Sequence, residues 1–410
     1  MFYPFPTSLG LDEVRAAVAN HNQRLDRTCF IEVDRGDHVI FNYVLSFDGS
    51  FPQPDTDDDL LNREYAILRE CRGLVFDKTY GVVLARRYHK FFNVNEKSFT
   101  QANVIDWTQP HVILEKLDGS MIAPYPHPGR PGGIAWGTKM GATDVSFPVE
   151  AFVAQNPQYV RFFCDLYEQG FTPLFEWCSR KQKIVIDYKE DRLVLTGIRS
   201  IYSGQYANHP GLVAFGEAYG IEVVRALPGS VENIEQFMAD AYDLQGEEGY
   251  IVRFDNGHMV KVKGLWYCQI HRTKDDLTRE KDVWKMILED TLDDVKPFMD
   301  SDDRTRVDRF LSEFDARVAD KAWRLDLEVS AGHALDLTKK EFVATVLRDY
   351  PNRQEHGMLF AIWDGQNSVD VVRKFLAKNY HTSTKIENVR WIVSGLKWDD
   401  YRDQTVILDD

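Results

Sequence analysis

Hydrophobic and polar residues alternate in short runs over the first two thirds of the chain. The runs are rich in β-branched and aromatic residues and are bounded by Gly, Pro, Asn or Asp, which predicts strands joined by turns. The predicted strands are Gly73–Phe76, Val82–Ala85, His111–Lys116, Lys183–Tyr188, Leu193–Ile198 and Tyr250–Phe254. Amphipathic spacing predicts helices over Leu11–Asn20 and Val149–Gln169, the second of them interrupted at Pro157.

The hydrophobic period changes beyond about residue 272. Apolar residues there recur at helical spacing, as in Val307, Phe310, Leu311, Phe314 and Val318. Thr338 and Glu341 form a capping box ahead of another apolar run, and Val371–Tyr380 predicts a further helix. We therefore predict an α+β fold, with antiparallel sheets and flanking helices over residues 1–272 and a mostly α-helical C-terminal domain over residues 273–410.

The overall charge excludes a protein that holds nucleic acid by bulk positive charge. The 410 residues carry 49 Lys and Arg against 64 Asp and Glu, a formal net charge of -15. A local basic cleft stays compatible with this total, because the potential of a site depends on nearby groups. The five cysteines are widely spaced, the N-terminus lacks the pattern of a signal peptide, and no apolar stretch approaches about 18 residues. We therefore predict a soluble cytoplasmic protein.

The strongest chemical signal is the segment Glu115–Ser120, with the sequence EKLDGS. An apolar run precedes it, so Lys116 is expected at the end of a strand that enters a tight turn. Gly119 allows the backbone to approach a ligand closely. A lysine so placed can act as a nucleophile if neighbouring cations or burial lower its pKa. The alternative is a surface turn with an extended lysine side chain.

A predicted β-hairpin supplies two such cations. Tyr250–Phe254 and Met259–Lys263 flank the turn segment Asp255–His258, and Lys261 and Lys263 lie two residues apart on one face of their strand. Two ammonium groups on one face are costly unless an anion lies between them, and a triphosphate would satisfy both. The alternative is that they form the solvent face of an amphipathic strand.

Further candidates are individually weaker. Glu176 and Glu248 lie in or beside predicted strands and are candidates for binding a ribose hydroxyl and a divalent metal, with surface ion pairs as the alternative. Three cations are also candidates. Arg72 lies at the start of a predicted strand, Lys90 lies beside two aromatic residues, and Lys139 lies between glycines. Arg72 is suited to a phosphate because a guanidinium can donate two parallel hydrogen bonds.

The order of these residues resembles the covalent nucleotidyltransferase superfamily, which includes ATP-dependent RNA ligases, DNA ligases and mRNA capping enzymes. The closest resemblance is to the T-even phage RNA ligase 1 family. It rests on the blocks RECRGLVFD, KFFN, EKLDGS, FEWCSRKQKIVIDY, EGYIVRF and KVKGLWY, within residues 69–267. The resemblance implies a nucleotidyltransferase domain over residues 1–272 and an RNA-specificity domain, for tRNA in particular, over residues 273–410.

The resemblance also implies a role for each matching position. Lys116 would be the nucleophile that forms a lysyl-AMP intermediate from ATP, before the AMP passes to an RNA 5′-phosphate and an RNA 3′-hydroxyl displaces it. The positions implied for nucleotide binding are Tyr43, Arg72, Lys90, Lys139, Glu176, Lys261 and Lys263. Glu176 would contact the ribose and Tyr267 would be needed for ligation. Glu248 and Asp293 would be associated with Mg²⁺ or Mn²⁺.

The same resemblance implies the partners. The substrate would be RNA with a 5′-phosphate and a 3′-hydroxyl end, with a nicked tRNA anticodon loop as one candidate. Apart from the resemblance, we take a monomer as the default, and the predicted cytoplasm would be that of the host if a phage encodes the protein. Two alternatives stay open. One is a DNA ligase or capping guanylyltransferase, although the helical C-terminal pattern differs from the OB-fold expected of those enzymes. The other is a catalytically inactive RNA-binding relative.

Overall fold

A computed structural model describes residues 3–47, 49–182, 184–350 and 352–401 of the chain. The described chain divides into two compact units after Cys268, close to the boundary predicted at residue 272. Within these ranges, no helix combines the length and apolar character that a bilayer crossing requires.

The first unit contains three sheets. Its strands are β1 (Phe30–Asp34), β2 (His38–Tyr43), β3 (Arg72–Asp77), β4 (Val83–Ala85), β5 (Phe92–Asn93), β6 (His111–Glu115), β7 (Ser120–Pro126), β8 (Ile134–Gly137), β9 (Phe171–Cys178), β10 (Arg192–Ser200), β11 (Ala226–Leu227), β12 (Gly249–Phe254) and β13 (Met259–Lys263). The strand orders are β1-β2-β3-β4, β10-β9-β7-β8 and β11-β6-β12-β13-β5. Neighbouring strands are antiparallel, apart from the parallel pair β13 and β5.

Helices flank these sheets. They are α1 (Leu11–Arg24), α2 (Asp59–Glu70), α3 (Ser146–Gln155), α4 (Gln158–Glu168), α5 (His209–Tyr219) and α6 (Ile234–Tyr242). The break between α3 and α4 confirms the interruption predicted at Pro157. Asp58 and Asn208 cap the N-termini of α2 and α5 through side-chain oxygens that accept backbone N–H groups.

The second unit is helical in its described residues. Helix α7 (Leu265–Leu277) crosses the division, and it is followed by α8 (Glu280–Leu288), α9 (Leu292–Val295), α10 (Ser301–Ala334), α11 (Lys339–Asp349), α12 (Arg353–Trp363), α13 (Ser368–Ala377) and α14 (Ser383–Val389). The capping box of Thr338 and Glu341 is present at the start of α11. Phe310, Phe314 and Val318 of α10 are buried in the core of this unit, as their spacing predicted. The α+β fold class is confirmed.

One predicted strand is wrong. Lys183 lies outside the described residues, and residues 184–188 form bends and loop rather than a strand. The physical reason is that the N–H groups of Val185 and Ile186 donate to the Asp118 carboxylate, at 2.8 and 2.7 Å, instead of to a neighbouring strand.

A buried ionic cluster connects α2, the segment after β4, and β10. Glu70 accepts hydrogen bonds from Arg86 Nε at 3.0 Å and from both terminal nitrogens of Arg199 at 2.8 Å. Both arginines are 0% exposed and Glu70 is 3% exposed. Because burial of an isolated charge is very costly, the shared carboxylate is what makes the two buried guanidinium groups tolerable.

Candidate active site

Lys116 occupies the position that the sequence predicted. Strand β6 ends at Glu115 and β7 begins at Ser120, so Lys116 opens the loop between them. Its backbone N–H donates to Gly249 O of β12 at 2.9 Å, which fixes the start of the loop. At the other end of the loop, a Cβ added to Gly119 would lie 3.0 Å from the carbonyl carbon of Trp177. Glycine is therefore needed for this close approach of two backbones.

A pocket of about 460 Å³ opens beside Lys116. Seven of the residues singled out from the sequence line it: Tyr43, Arg72, Lys116, Lys139, Glu176, Lys261 and Lys263. The hairpin register explains why both later lysines reach the pocket, because Lys261 pairs with Ile251 of β12 and Lys263 pairs with Gly249. The pocket thus gathers cations that are far apart in the sequence.

Glu248 links two of these lysines. Its side chain is nearly inaccessible, with Oε2 2.6 Å from Lys116 Nζ and Oε1 3.0 Å from Lys263 Nζ. The sequence predicted that the paired lysines need an anion, and in the free protein this carboxylate supplies one for Lys263. Glu248 is not among the residues that line the pocket, but it forms ion pairs with both ammonium groups.

Two groups in the pocket have strongly shifted pKa values. Burial raises the pKa of Glu176 to about 7, against the opposing effect of Lys116. Burial, together with the charges of Arg72, Lys116 and Lys90, lowers the pKa of Lys261 to about 7. No carboxylate in the described parts of the chain forms an ion pair with Lys261. Both side chains therefore change charge near neutral pH, which is typical of residues in functional sites.

A second group of cations surrounds Tyr43. Lys90 Nζ lies 4.8 Å and Lys139 Nζ 4.9 Å from the centre of the Tyr43 ring. Burial raises the pKa of the Tyr43 hydroxyl, but the charges of Lys90, Arg72 and Lys139 outweigh it and the net shift is downward. Lys90 is not among the pocket-lining residues, so it contributes to the site through Tyr43.

Asp118 organises the loop that follows Lys116. Its carboxylate accepts a hydrogen bond from the Tyr267 hydroxyl at 2.7 Å, in addition to the two from Val185 and Ile186. Its own N–H donates to the Tyr188 hydroxyl at 3.0 Å. Sequence reasoning singled out Tyr267 but missed that the segment 185–188 anchors this aspartate. The consecutive β-branched residues Ile184, Val185 and Ile186 are typical of a strand, and no local signal in the sequence indicates that their backbone binds Asp118.

The two predicted metal ligands lie in different units, Glu248 in the first and Asp293 in the second. Mg²⁺ and Mn²⁺ prefer oxygen ligands, usually one or two carboxylates completed by substrate phosphates and water, and Glu248 beside Lys116 fits that donor type. Asp293 lies on α9 in the second unit, where its carboxylate is 3.5 Å from Lys296 Nζ, and its metal role stays a prediction. A group that sequence reasoning missed has the spacing of metal ligands: Asp37, His38 and His127, with ligand atoms within 4.8 Å of one another.

Comparisons with known proteins find similarity to RNA ligases. An RNA ligase family model matches residues 70–267. A putative RNA ligase of Thermovibrio ammonificans is 29% identical over 261 residues, which is 62% of this chain and 65% of that protein. RNA ligase 1 of bacteriophage TS2126 is 30% identical over 238 residues, or 55% of this chain and 57% of that protein. The chain thus spans less than two thirds of either relative.

Solved structures align more distantly. An archaeal ATP-dependent RNA ligase has a TM-score of 0.41 at 11% identity, over 75% of this chain and 79% of that chain. A mutant of the Naegleria gruberi RNA ligase with ATP and Mn has a TM-score of 0.33 at 17% identity, over 40% of this chain and 52% of that chain. The family model matches the segment that contains every pocket-lining residue except Tyr43. Over residues 70–267, just under half of its length, this chain is similar to the T4 RNA ligase 1-like family of RNA ligases.

Proposed function

We propose that this protein is an ATP-dependent RNA ligase that joins RNA 5′-phosphate and 3′-hydroxyl ends through a covalent lysyl-AMP intermediate. The observation that supports this most directly is the position of Lys116. Its amine lies in a pocket that also contains Arg72, Lys139, Lys261 and Lys263. Such a set of cations suits a triphosphate, whose negative charges must be neutralised where a nucleophile attacks.

In the first step Lys116 Nζ attacks the α-phosphorus of ATP. A nitrogen–phosphorus bond forms, the bond to the bridging oxygen breaks, and pyrophosphate leaves with the bonding electrons. The amine must lose a proton before it attacks, and Glu248 Oε2, at 2.6 Å, accepts this proton and passes it to water. Entry of the triphosphate places competing anions beside Lys116 and Lys263, which weakens their hold on Glu248. Mg²⁺ or Mn²⁺, held by Glu248 and the phosphates, would supply charge neutralisation.

The later steps transfer the AMP to an RNA 5′-phosphate and then seal the strand. An RNA 3′-hydroxyl attacks the activated phosphate, and AMP leaves. Glu176 lines the pocket and would contact the ribose, and Tyr267 supports the Lys116 loop through Asp118. We propose Arg72, Lys139, Lys261 and Lys263 as phosphate ligands, with Tyr43 and Lys90 beside them. A nicked tRNA anticodon loop is the substrate to test first, with general single-stranded RNA as the alternative.

The test is covalent labelling. Purified protein is incubated with ATP labelled at the α-phosphate and Mg²⁺, and the adduct is located by mass spectrometry. We expect one AMP on Lys116, no adduct in Lys116→Ala, and normal labelling in the matched control Lys189→Ala, which replaces an exposed lysine. Absence of any adduct on the intact protein would favour the inactive RNA-binding relative.

Parallel reactions test the other enzymes of the superfamily. Labelling by GTP or NAD instead of ATP would indicate a guanylyltransferase or an NAD-dependent DNA ligase. Sealing assays then compare cleaved tRNA, linear single-stranded RNA and nicked DNA with the full chain. Preference for nicked DNA would contradict the assignment to RNA.

A further inference from the structure

Among the described residues, Arg253 is a buried cation whose terminal nitrogens have no hydrogen-bond partner. It lies on β12, is 5% exposed, and both of its terminal nitrogens, Nη1 and Nη2, lack a hydrogen-bond partner among the described residues. No carboxylate in the described ranges forms an ion pair with it. Burial lowers its pKa, which reflects the cost of keeping the charge away from water.

The other buried arginines of the first unit show what normally compensates this cost. Arg199 donates to Glu70 from both terminal nitrogens, and Arg86 donates to Glu70 and to Pro6 O. Arg87 donates from its terminal nitrogens to backbone carbonyls, including Gly137 O at 3.2 Å. A buried donor left unsatisfied destabilises the folded protein, and a charged donor does so more strongly. Arg253 therefore calls for an anionic partner that the described residues do not supply.

Two cavities share this side chain. Arg253 lines the pocket that contains Lys116, and it also lines a second cavity of about 1040 Å³ in the same unit. Other residues of that second cavity are Trp107, His111, Gln205, Tyr206 and His209. Arg253 alternates with Val252 along β12 and shares its face with Ile251, which pairs with Lys261. Arg253 therefore borders both cavities.

We propose that Arg253 is a phosphate-binding subsite in the wall between these two cavities. A guanidinium with two free donors matches the paired oxygens of a phosphate better than any single-point cation does. The phosphate belongs either to a nucleotide in the first pocket or to an RNA strand in the second cavity. The aromatic and amide side chains of the second cavity suit unstacked bases of single-stranded RNA.

Binding assays without turnover test the subsite. Pyrophosphate and ATP are titrated by calorimetry in the presence of EDTA, and a 5′-phosphorylated ten-nucleotide RNA is compared with its 5′-hydroxyl form. We expect Arg253→Gln to weaken at least one phosphate probe tenfold or more, and Arg253→Lys to retain part of the affinity. Arg161→Gln, at an exposed arginine of α4, is the control and should stay within twofold of the unchanged protein.

The pattern of losses identifies the source of the phosphate. Weaker binding of pyrophosphate or ATP assigns the subsite to the nucleotide, and weaker binding of only the 5′-phosphorylated RNA assigns it to the strand. Unchanged affinity for every probe in both the Gln and Lys variants overturns the proposal. These assays require no sealing. If the unchanged protein never adenylates Lys116 but Arg253→Gln still weakens phosphate binding, the ligase function is refuted and the phosphate subsite stands.

Thermal stability separates binding from a structural role. Arg253→Met removes a buried charge without a partner, so the melting temperature of the ligand-free protein should stay equal or rise. A melting temperature lowered by several degrees would show that Arg253 stabilises the fold and would overturn the proposal.

Discussion

The hydrogen bond between Tyr267 and Asp118 is expected to stabilise both the first unit and its nucleophile loop. Tyr267→Phe removes only the hydroxyl, which donates to the Asp118 carboxylate at 2.7 Å, and both residues are 3% exposed. A buried hydrogen bond to a charged group contributes about 1.5–3 kcal/mol. For a domain of this size each kcal/mol corresponds to roughly 2–4 °C, so the melting temperature should fall by about 3–12 °C.

Calorimetric unfolding of the full chain measures this change. Tyr80→Phe is the matched control, because Tyr80 is 80% exposed and its substitution should change the unfolding free energy by less than about 0.5 kcal/mol. Combining Tyr267→Phe with Asp118→Asn closes a double-mutant cycle, in which a coupling energy of at least about 0.5 kcal/mol is expected. The rate of Lys116 adenylation should fall in the same variants. Strict additivity, or a Tyr267→Phe protein as stable as Tyr80→Phe, would refute the reasoning.

Two further predictions concern the pocket. Because the pKa of Lys261 is about 7, its side chain is mostly neutral at pH 8, and bound phosphate should restore its charge. Pyrophosphate binding at pH 8 should therefore take up close to one proton more in the unchanged protein than in Lys261→Met, a comparison that cancels the proton carried by pyrophosphate itself. Calorimetry in buffers of different ionisation enthalpy measures both values, and equal values would contradict the prediction. Gly119→Ala should destabilise the protein by about 1–3 kcal/mol and slow adenylation, because its Cβ would overlap the Trp177 carbonyl group. Gly129→Ala, at a turn where the added Cβ meets only the His127 side chain, is the control, and equal stability of the two variants would contradict this account.

The parts of the fold that depend on local pattern could be predicted from the sequence. The hairpin of β12 and β13, the break at Pro157 and the capping box at Thr338 are set by residues within a few positions of one another. The segment Lys183–Tyr188 has the composition of a strand, yet the amides of Val185 and Ile186 bind Asp118, some 67 positions earlier in the chain. A pattern of residue types does not reveal such a long-range partner.

The site was predictable in membership but not in connectivity. The spacing placed Lys261 and Lys263 on one face, and the family resemblance supplied Tyr43, Arg72 and Lys139, all of which line the pocket. Pattern alone did not reveal that Glu248 joins Lys116 to Lys263. Arg253 escaped notice because an arginine in an alternating strand usually faces solvent, and only the packed structure shows it buried without a partner.

The shared carboxylate of Glu70 has a consequence for how this sequence can change over generations. Replacing Glu70 alone leaves Arg86 and Arg199 as buried cations without an acidic partner, at a cost of about 3–5 kcal/mol, whereas apolar replacement of all three together can be nearly neutral. Variants with only one or two of the three replacements would be less stable than the original protein and than the triple variant. Proteins that descend from this sequence should therefore keep all three residues or lose all three.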